Sequence, residues 1–308
     1  MRASHDVSPE QPHCFARVDG CRLHWVDCKG IEPNGPPLVL LHGLSDSYSS
    51  WMHLIPRLAQ DRRVLVPDLP GHGLSARPDA SYELKWYAHM MARWLELRGL
   101  ESVDVVGHSF GGGVALMMLP ECRRRIRRLI LVSSGGLGRE ISFLLRLASI
   151  PYLVERFGQP FMGPATRLGL MATGSAFSQK DGAERSAMNA RGGSARAFAR
   201  TVRDIIDWRG QRRSFLERPP DLALPPIAVF WGDRDAVIPI SHARTLAQSM
   251  DGVRLTVFDG CGHYPHHQQP EAFVRAVGSF LGDPSVRPAR PASTGATRAP
   301  LALAMQPA

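Results

Sequence analysis

The residues with the clearest chemical signature surround one serine, in the segment Gly107-His108-Ser109-Phe110-Gly111. The apolar run Val103 to Val106 before it predicts a strand, and the run Gly111 to Leu119 after it predicts a helix. A strand that turns sharply into a helix projects the central hydroxyl above the sheet, and glycine on either side avoids a steric collision. Ser109 is therefore a candidate nucleophile, and a simple helix-capping role for Ser109 is the alternative.

A serine hydroxyl needs a base within hydrogen-bond reach and a third group that sets the tautomer of that base. Two later segments offer such groups, each at the end of a predicted strand. Asp233 and Asp235 follow the apolar run Ile227 to Trp231, and His263 follows the run Leu255 to Phe258. Both strand ends are expected at the same edge of the sheet as Ser109. Other histidines that could serve are His266 and His267.

Short apolar runs predict the strands that position these groups. A hairpin comes first, with strands Phe15 to Val18 and Leu23 to Val26 around an Asp19-Gly20 turn. Helical periodicity separates most later strands, for example over Tyr82 to Leu97, which predicts an α/β fold with a mostly parallel, doubly wound sheet. The later predicted strands are Pro37 to Leu41, Arg63 to Pro67, Val103 to Val106, Leu129 to Val132, Ile227 to Trp231 and Leu255 to Phe258.

The alternation of strand and helix breaks between about Gly135 and Leu216, where apolar residues recur at helical spacing without a strand candidate. The predicted organisation is a core of residues 13–135 and 216–282, a helical lid of residues 136–215, and disordered tails at 1–12 and 283–308. An insertion at this place would cover the carboxyl ends of the strands, where open α/β sheets bind ligands.

With Ser109, an aspartate and a histidine in that chain order, and His42-Gly43 after an early strand, residues 15 to 282 resemble the α/β-hydrolase fold family. The resemblance implies a serine hydrolase in which Asp235 is the triad acid and His263 the base. It also implies that the backbone N–H groups of Leu44 and Phe110 form an oxyanion hole. His42, His108 and the segment Asp68 to Ser75 are interpreted as structural.

Several side chains are candidates for the wall of a substrate pocket: Trp51, Phe110, Met162 and Trp208 for an apolar acyl group, and Arg200 or Arg203 for a substrate carboxylate. Simple core packing is the alternative for the apolar residues. Surface positions on an amphipathic helix are the alternative for the arginines.

A serine nucleophile favours acyl chemistry, so hydrolysis of a carboxylic ester or a related acyl substrate through an acyl-enzyme is the leading prediction. In its size and in the segment Gly107 to Gly113, the chain also resembles the meta-cleavage-product hydrolases, which cleave carbon–carbon bonds. Tyr264-Pro265 stands where that group usually has a tryptophan. A lyase using the same three residues and a binding protein of the same fold without catalysis are further alternatives.

The composition narrows the classes of substrate, cofactor and partner that the chain could bind. The 308 residues have a formal net charge of +9 that comes almost entirely from dispersed arginines, which favours a small-molecule substrate over nucleic acid. The five cysteines form no C-x-x-C pair and no zinc-ligand spacing, so free thiols, a cytoplasmic location, no metal and no cofactor are expected. One disulfide between Cys14 and Cys28 is an alternative. No apolar run long enough for a membrane-spanning helix occurs, and a homodimer remains open.

Overall fold

Most of the strands belong to one large sheet. The computed structural model describes residues 12–147, 153–172, 179–212, 214–217 and 223–292. Within these ranges the strands are β1 (His13–Val18), β2 (Cys21–Cys28), β3 (Leu38–Leu41), β4 (Val64–Pro67), β5 (Val103–His108), β6 (Ile126–Val132), β7 (Ile206–Asp207), β8 (Gly210–Gln211), β9 (Ile227–Gly232), β10 (Met250–Asp251), β11 (Arg254–Phe258) and β12 (Arg290–Pro291).

The main sheet has eight strands in the order β1-β2-β4-β3-β5-β6-β9-β11. β2 is antiparallel to both β1 and β4, and the pairs from β4 to β11 are parallel. Chain order reverses around β3, so the crossovers lie on both faces of the sheet, as a doubly wound fold requires. The predicted hairpin, the six later strands and the α/β fold class are confirmed.

Helices cover the sheet and fill the interval between β6 and β9. In the described residues the helices are α1 (Ile55–Leu58), α2 (Leu84–Leu97), α3 (Phe110–Cys122), α4 (Phe143–Leu147), α5 (Leu153–Phe157), α6 (Met162–Ala172), α7 (Gln179–Asn189), α8 (Ser194–Ile205), α9 (Ser241–Ser249), α10 (Pro265–Gln268) and α11 (Pro270–Gly282). β6 and β9 are neighbours in the sheet. The chain therefore leaves the sheet after β6, forms α4 to α8, and returns to it at the neighbouring position. We call the described residues within 143–205 the helical segment.

Alternate residues of the central strands enter two separate apolar layers. In β3, Val39 and Leu41 belong to the layer that contains α2 and α3, whereas Leu38 and Leu40 belong to the layer that contains α11. Both faces of the strand are buried, as expected for a parallel sheet with helices on both sides. The central part of the sheet therefore lies between two apolar layers.

Two details differ from the sequence-based expectations. The described part of the interval 136–215 contains one small strand pair, since β7 and β8 are antiparallel and each spans only two residues. Part of the predicted tail after residue 282 is ordered, because β12 pairs with β10 and the Ala289 N–H donates to the carbonyl of Pro225. The composition of this segment could not predict this order, because backbone hydrogen bonds and the burial of one alanine do not require an apolar run of residues. Residues 1–11 and 293–308 lie outside the described residues.

The cysteines are all free thiols. In the hairpin, Cys14 lies opposite Trp25, and Cys28 lies opposite Val64 of β4. The register therefore separates the two cysteines, and the alternative of a Cys14–Cys28 disulfide is wrong. Burial raises the pKa of Cys21 and of Cys28 to about 11, so both thiols are protonated near neutral pH.

Candidate active site

Ser109 lies at the turn between β5 and α3, at the carboxyl edge of the sheet. Its backbone has φ +52° and ψ −117°, a left-handed conformation that L-residues rarely adopt. Its N–H donates to the carbonyl of Val132 at 2.9 Å, and its carbonyl accepts from Gly112 and Gly135. These bonds fix the strained turn on both sides and aim the hydroxyl away from the sheet.

The glycines on either side of Ser109 are required by close packing of the backbone. A Cβ atom at Gly107 would lie 2.6 Å from the carbonyl oxygen of Gly111. A Cβ atom at Gly111 would lie 2.5 Å from the carbonyl oxygen of His42 and 2.6 Å from that of Leu41. Only glycine allows α3 to start this close to the end of β3, so the spacing of the motif follows from the geometry of the turn.

The structure brings Ser109, His263 and Asp235 together at neighbouring strand ends. His263 Nε2 lies 2.9 Å from Ser109 Oγ, and His263 Nδ1 lies 2.8 Å from Asp235 Oδ2. A carboxylate can only accept, so Nδ1–H donates to Asp235 and Nε2 accepts from the serine hydroxyl. This arrangement can remove the hydroxyl proton as Ser109 attacks an electrophilic carbon.

Backbone groups hold the other two members of this set in place. Asp235 Oδ1 accepts hydrogen bonds from the N–H groups of Val237 and Ile238, which leaves Oδ2 for the imidazole. The carbonyl of His263 accepts from His108 Nε2 at 2.9 Å. Burial, together with the neighbouring His263, lowers the pKa of His108 well below its ordinary value, so His108 is neutral and acts as a donor at this position.

The alternatives for the acid and the base lie elsewhere. Asp233 is exposed at the surface of the same turn, whereas the Asp235 side chain is fully buried. His266 stacks on Trp51 with ring centroids 4.4 Å apart, and His267 packs against His53. The hydrogen bond to Ser109 Oγ thus belongs to His263 rather than to either neighbour.

Leu44 and Phe110, the predicted donors to an oxyanion, line the same space as Ser109. Phe110 is the first residue of α3, and the N–H groups in the first turn of a helix have no intrahelical acceptor. The amino terminus of α3 also provides partial positive charge next to Ser109. Leu44 follows Gly43 in the loop after β3, opposite the start of that helix.

His42 and the segment Asp68 to Ser75 support that loop. His42 Nδ1–H donates to the carbonyl of Gly43, and His42 Nε2 accepts from the N–H of Leu69, so both ring nitrogens are occupied. The Asp68 carboxylate accepts from the N–H groups of Tyr48 and Leu74. These contacts fit the structural interpretation of both motifs.

A cavity of about 760 Å³ opens from Ser109 towards the helical segment. Its wall is mainly apolar, and its apolar residues come from β-strand ends and from α4, α5, α6 and α8. Among the described lining residues the only carboxylate is that of Asp46, and none is lysine or arginine. The apolar side chains that the helical segment contributes include Leu144, Val154, Phe157, Phe161, Met162 and Phe198.

The residues proposed for the pocket wall divide into two groups. Met162 and Phe110 line the cavity. Trp51 is instead fully buried in the core, where it stacks on His266. Arg200 forms ion pairs with Glu155 and Asp79, and Trp208 is 73% exposed in the β7–β8 turn. Trp51, Arg200 and Trp208 therefore do not line the cavity, and their prediction as pocket residues is wrong.

Sequence reasoning missed several residues of the site. Asp46 of the loop after β3 lines the cavity, as do Phe157 and Phe161 of the helical segment. Gln211 of β8 also lines it, and its side-chain oxygen accepts from the N–H of Gly136. The phenylalanines lie in short helices whose packing depends on distant residues. The only sequence signal for them is their aromatic character within the interval 136–215.

The described residues contain no group of three or more histidine, cysteine or acidic side chains arranged to hold a metal ion. They also contain no helix with the length and apolar character needed to cross a membrane.

Comparisons with known proteins agree with this architecture. A family profile for the α/β hydrolase fold matches residues 36–270. An uncharacterised protein of Mycobacterium tuberculosis is 34% identical over 298 residues, which cover 91% of this chain and 84% of the relative. A 2-hydroxymuconate semialdehyde hydrolase of a Pseudomonas species is 30% identical over 258 residues, with 81% of this chain and 88% of the relative covered. The crystal structure of Cfl2 from Burkholderia cenocepacia superposes with a TM-score of 0.75 at 25% identity, covering 87% of this chain and 95% of that one.

Proposed function

Because the chain belongs to the α/β-hydrolase fold family, we propose that it is a serine hydrolase that cleaves esters of apolar carboxylic acids. The observation that carries the proposal is the continuous hydrogen-bonded series from Asp235 through His263 to Ser109, at the end of an apolar cavity. The hydroxyl, the base and the acid have the mutual geometry that acyl transfer requires.

The reaction has two halves. Ser109 Oγ attacks the acyl carbon while its proton passes to His263 Nε2, and the carbonyl oxygen becomes an oxyanion facing the N–H groups of Leu44 and Phe110. The C–O bond to the alcohol then breaks, and His263 gives its proton to the leaving oxygen. Water that is deprotonated by His263 attacks the acyl-enzyme, and the acid is released as Ser109 recovers its proton.

The cavity supports an apolar acyl group as substrate. Its volume of about 760 Å³ falls within the range of pockets that enclose a small molecule, and side chains such as Val154, Phe157 and Met162 offer no hydrogen bond. In this proposal the helical segment acts as a lid that shapes the acyl site. Because the described cavity wall contains neither lysine nor arginine, an acyl chain that carries its own carboxylate would find no cationic partner there.

Cleavage of a carbon–carbon bond is the second candidate function, favoured by the 30% identity to a 2-hydroxymuconate semialdehyde hydrolase. A compound of that name carries a carboxylate. The described cavity wall contains neither lysine nor arginine to pair with it, so we rank ester hydrolysis higher.

The test is a hydrolysis assay on p-nitrophenyl esters from acetate to palmitate, with a vinylogous 1,5-diketone as a carbon–carbon substrate. Wild-type protein should hydrolyse the esters with an optimum above acetate, and Ser109→Ala should lower kcat by roughly 10⁴-fold or more. The matched control is Ser102→Ala, which removes an exposed hydroxyl just before β5 and should leave kcat unchanged.

Other outcomes would change the assignment. Equal rates for wild type and Ser109→Ala would exclude Ser109 as the nucleophile. Diketone cleavage without ester turnover would establish the second candidate. Failure of a fluorophosphonate probe to label the wild-type serine, together with no turnover, would indicate a binding protein of this fold.

A further inference from the structure

The loop that carries Leu44 is strained at its next residue. Ser45 has φ +55°, which is uncommon for a residue with a side chain. The turn closes with a hydrogen bond of 3.3 Å from the Asp46 N–H to the carbonyl of Gly43. A left-handed residue of this kind persists only where surrounding contacts hold it, so the position of the Leu44 N–H depends on what holds Ser45 and Asp46.

Helix α7 supplies contacts to both of these residues. Asn189 Nδ2 donates to the carbonyl oxygen of Ser45 at 2.6 Å. Arg185 Nη1 lies 3.0 Å from Asp46 Oδ1. Arg185 and Asn189 are four residues apart and therefore lie on one face of the helix, and both are almost fully buried.

The ion pair between Arg185 and Asp46 is shielded from water, since the two side chains are 1% and 2% exposed. Asp46 Oδ1 also accepts from the N–H of Ser47. A buried charge that loses its partner is strongly destabilised, which opposes any displacement of the loop from α7. The ion pair thus fixes the loop on the far side of Ser45 from Leu44.

The same contacts reach the wall of the cavity. Asn189 Nδ2 donates a second hydrogen bond to Thr166 Oγ1 at 3.0 Å. Thr166 belongs to α6 and lines the cavity one helical turn from Met162. One amide group therefore joins a residue next to the oxyanion donor with a residue next to the acyl site.

We propose that Asn189 and Arg185 are positioning residues that hold the Leu44 N–H in place for the oxyanion. The role given to Leu44 rests on the proposed function. Neither side chain lines the cavity, so they act through Ser45 and Asp46 rather than by touching substrate.

The first variant is Asn189→Ala, compared with Asp204→Ala as a matched control. Asp204 Oδ2 accepts from the N–H of Leu84, so the control also removes a hydrogen bond between the helical segment and the core, but at the start of α2 rather than in the loop that carries Leu44. Asn189→Ala should lower kcat/KM by on the order of 10- to 100-fold, less than the loss of a whole donor. Asp204→Ala should leave kcat/KM within about twofold, the scatter expected for a site outside the oxyanion loop.

An alkylboronic acid separates positioning from general damage. Ser109 Oγ bonds to boron, the serine proton passes to His263, and a boron-bound oxygen takes the oxyanion position in a tetrahedral adduct. In Asn189→Ala the inhibition constant of butylboronic acid should rise by the same factor as kcat/KM falls, and the preferred acyl length should stay the same. A purely structural role would lower the melting temperature without this parallel change.

A second measurement keeps the inference testable if a variant is unstable or the protein hydrolyses no ester. Amide hydrogen exchange over residues 43–47 should be faster in Asn189→Ala than in wild type and unchanged in Asp204→Ala. The double variant Asp46→Asn/Arg185→Gln avoids a lone buried charge and should show the same faster exchange.

The inference is overturned if folded Asn189→Ala retains wild-type exchange over residues 43–47. It is also overturned if kcat/KM and boronic acid affinity both stay within twofold of wild type, or if only the preferred acyl length changes. Wild-type protein that neither hydrolyses esters nor binds the boronic acid would instead count against the proposed function, and the exchange experiment would still decide whether α7 holds the loop.

Discussion

The strand-end turns and the helical segment are built in different ways. Ser109, Asp235 and His263 follow β5, β9 and β11, and backbone hydrogen bonds and close glycine contacts fix their turns. The helical segment consists of short helices, and its cavity-lining Phe157 and Phe161 are 64% and 66% exposed. The geometry of the strand-end turns is determined by the backbone of the sheet. The geometry of the helical segment depends on contacts between partly exposed side chains.

This difference separates chemistry from specificity. The groups proposed to make and break bonds belong to the rigid region, where positions within a fraction of an ångström matter. The groups that contact the acyl chain belong to a region whose side chains can change without disturbing the sheet. Substitutions should therefore have large effects on rate or stability in the first region and modest effects on selectivity in the second.

The largest expected effect comes from Asp235→Asn. The amide would favour the wrong tautomer of His263, so kcat should fall by roughly 10³- to 10⁴-fold while KM changes little. Asp233→Asn makes the same chemical change two residues away at an exposed position and should leave kcat unchanged. Steady-state kinetics on a p-nitrophenyl ester measures both. Similar losses in the two variants would contradict the assignment of the acid.

A pair of glycine variants tests the contrast in rigidity. Gly111→Ala places a Cβ atom 2.5 Å from the carbonyl oxygen of His42 and should lower the free energy of unfolding by about 3 kcal/mol. Gly169→Ala in α6 meets nothing within 4 Å and should raise it by up to about 1 kcal/mol through helix propensity. Urea denaturation gives both values. If Gly111→Ala were as stable as wild type, the strand-end turn would be softer than the contacts imply.

Selectivity should respond to the helical segment. Ala165 lines the cavity, so Ala165→Trp fills part of the acyl site and should reduce kcat/KM for palmitate relative to acetate by about 10-fold. Ala183→Trp adds the same side chain at an exposed position on α7 and should not change this ratio. The assay compares the two esters for each variant. A uniform loss on both esters would place Ala165 nearer the chemistry than the cavity suggests.

The pH dependence of stability should come from the strand-end region, because residues 143–205 contain no histidine. Burial lowers the pKa of His108 and of His266 well below the ordinary value. Below about pH 6.5 the unfolded chain therefore binds protons that the folded chain does not, and the free energy of unfolding falls as the pH falls.

Each of these histidines should contribute up to about 1 kcal/mol per pH unit in this range. Thermal unfolding from pH 8 to pH 5.5 measures the slope. His108→Asn should flatten it, whereas His89→Asn, at an exposed position on α2, should not. A slope that is the same in wild type and His108→Asn would show that His108 becomes protonated without unfolding.

Much of the fold could be predicted because its strands are short, apolar on both faces and separated by helices. β3, β5 and β9 are such strands, and the turn after β5 has a spacing of glycine and serine that few other backbone geometries require. Local patterns placed the candidate residues at strand ends, where Ser109, Asp235 and His263 meet in space. The choice of Asp235 over Asp233, and of His263 over His266 and His267, came from the resemblance to the α/β-hydrolase fold family.

The cavity wall and its supports could not be predicted in the same way. Trp51 and Trp208 have similar chemistry, yet one is buried in the core and the other is 73% exposed, because their surroundings are set by distant segments. Arg185 and Asn189 have the polar character typical of a solvent-facing helix surface, and only the packing of α7 on the loop after β3 buries them. Contacts between residues more than 100 positions apart leave no trace in a local pattern.

The pairing of β12 with β10 has a practical consequence for protein production. A truncated form ending at Gly282, where the composition suggests that order ends, would lose two strand residues and the buried Ala289. It would expose the Pro225 carbonyl and the edge of Met250 just before β11, an edge strand of the main sheet. Unpaired edges promote association between molecules, so a C-terminal boundary at residue 292 or later is preferable for soluble expression and crystallisation.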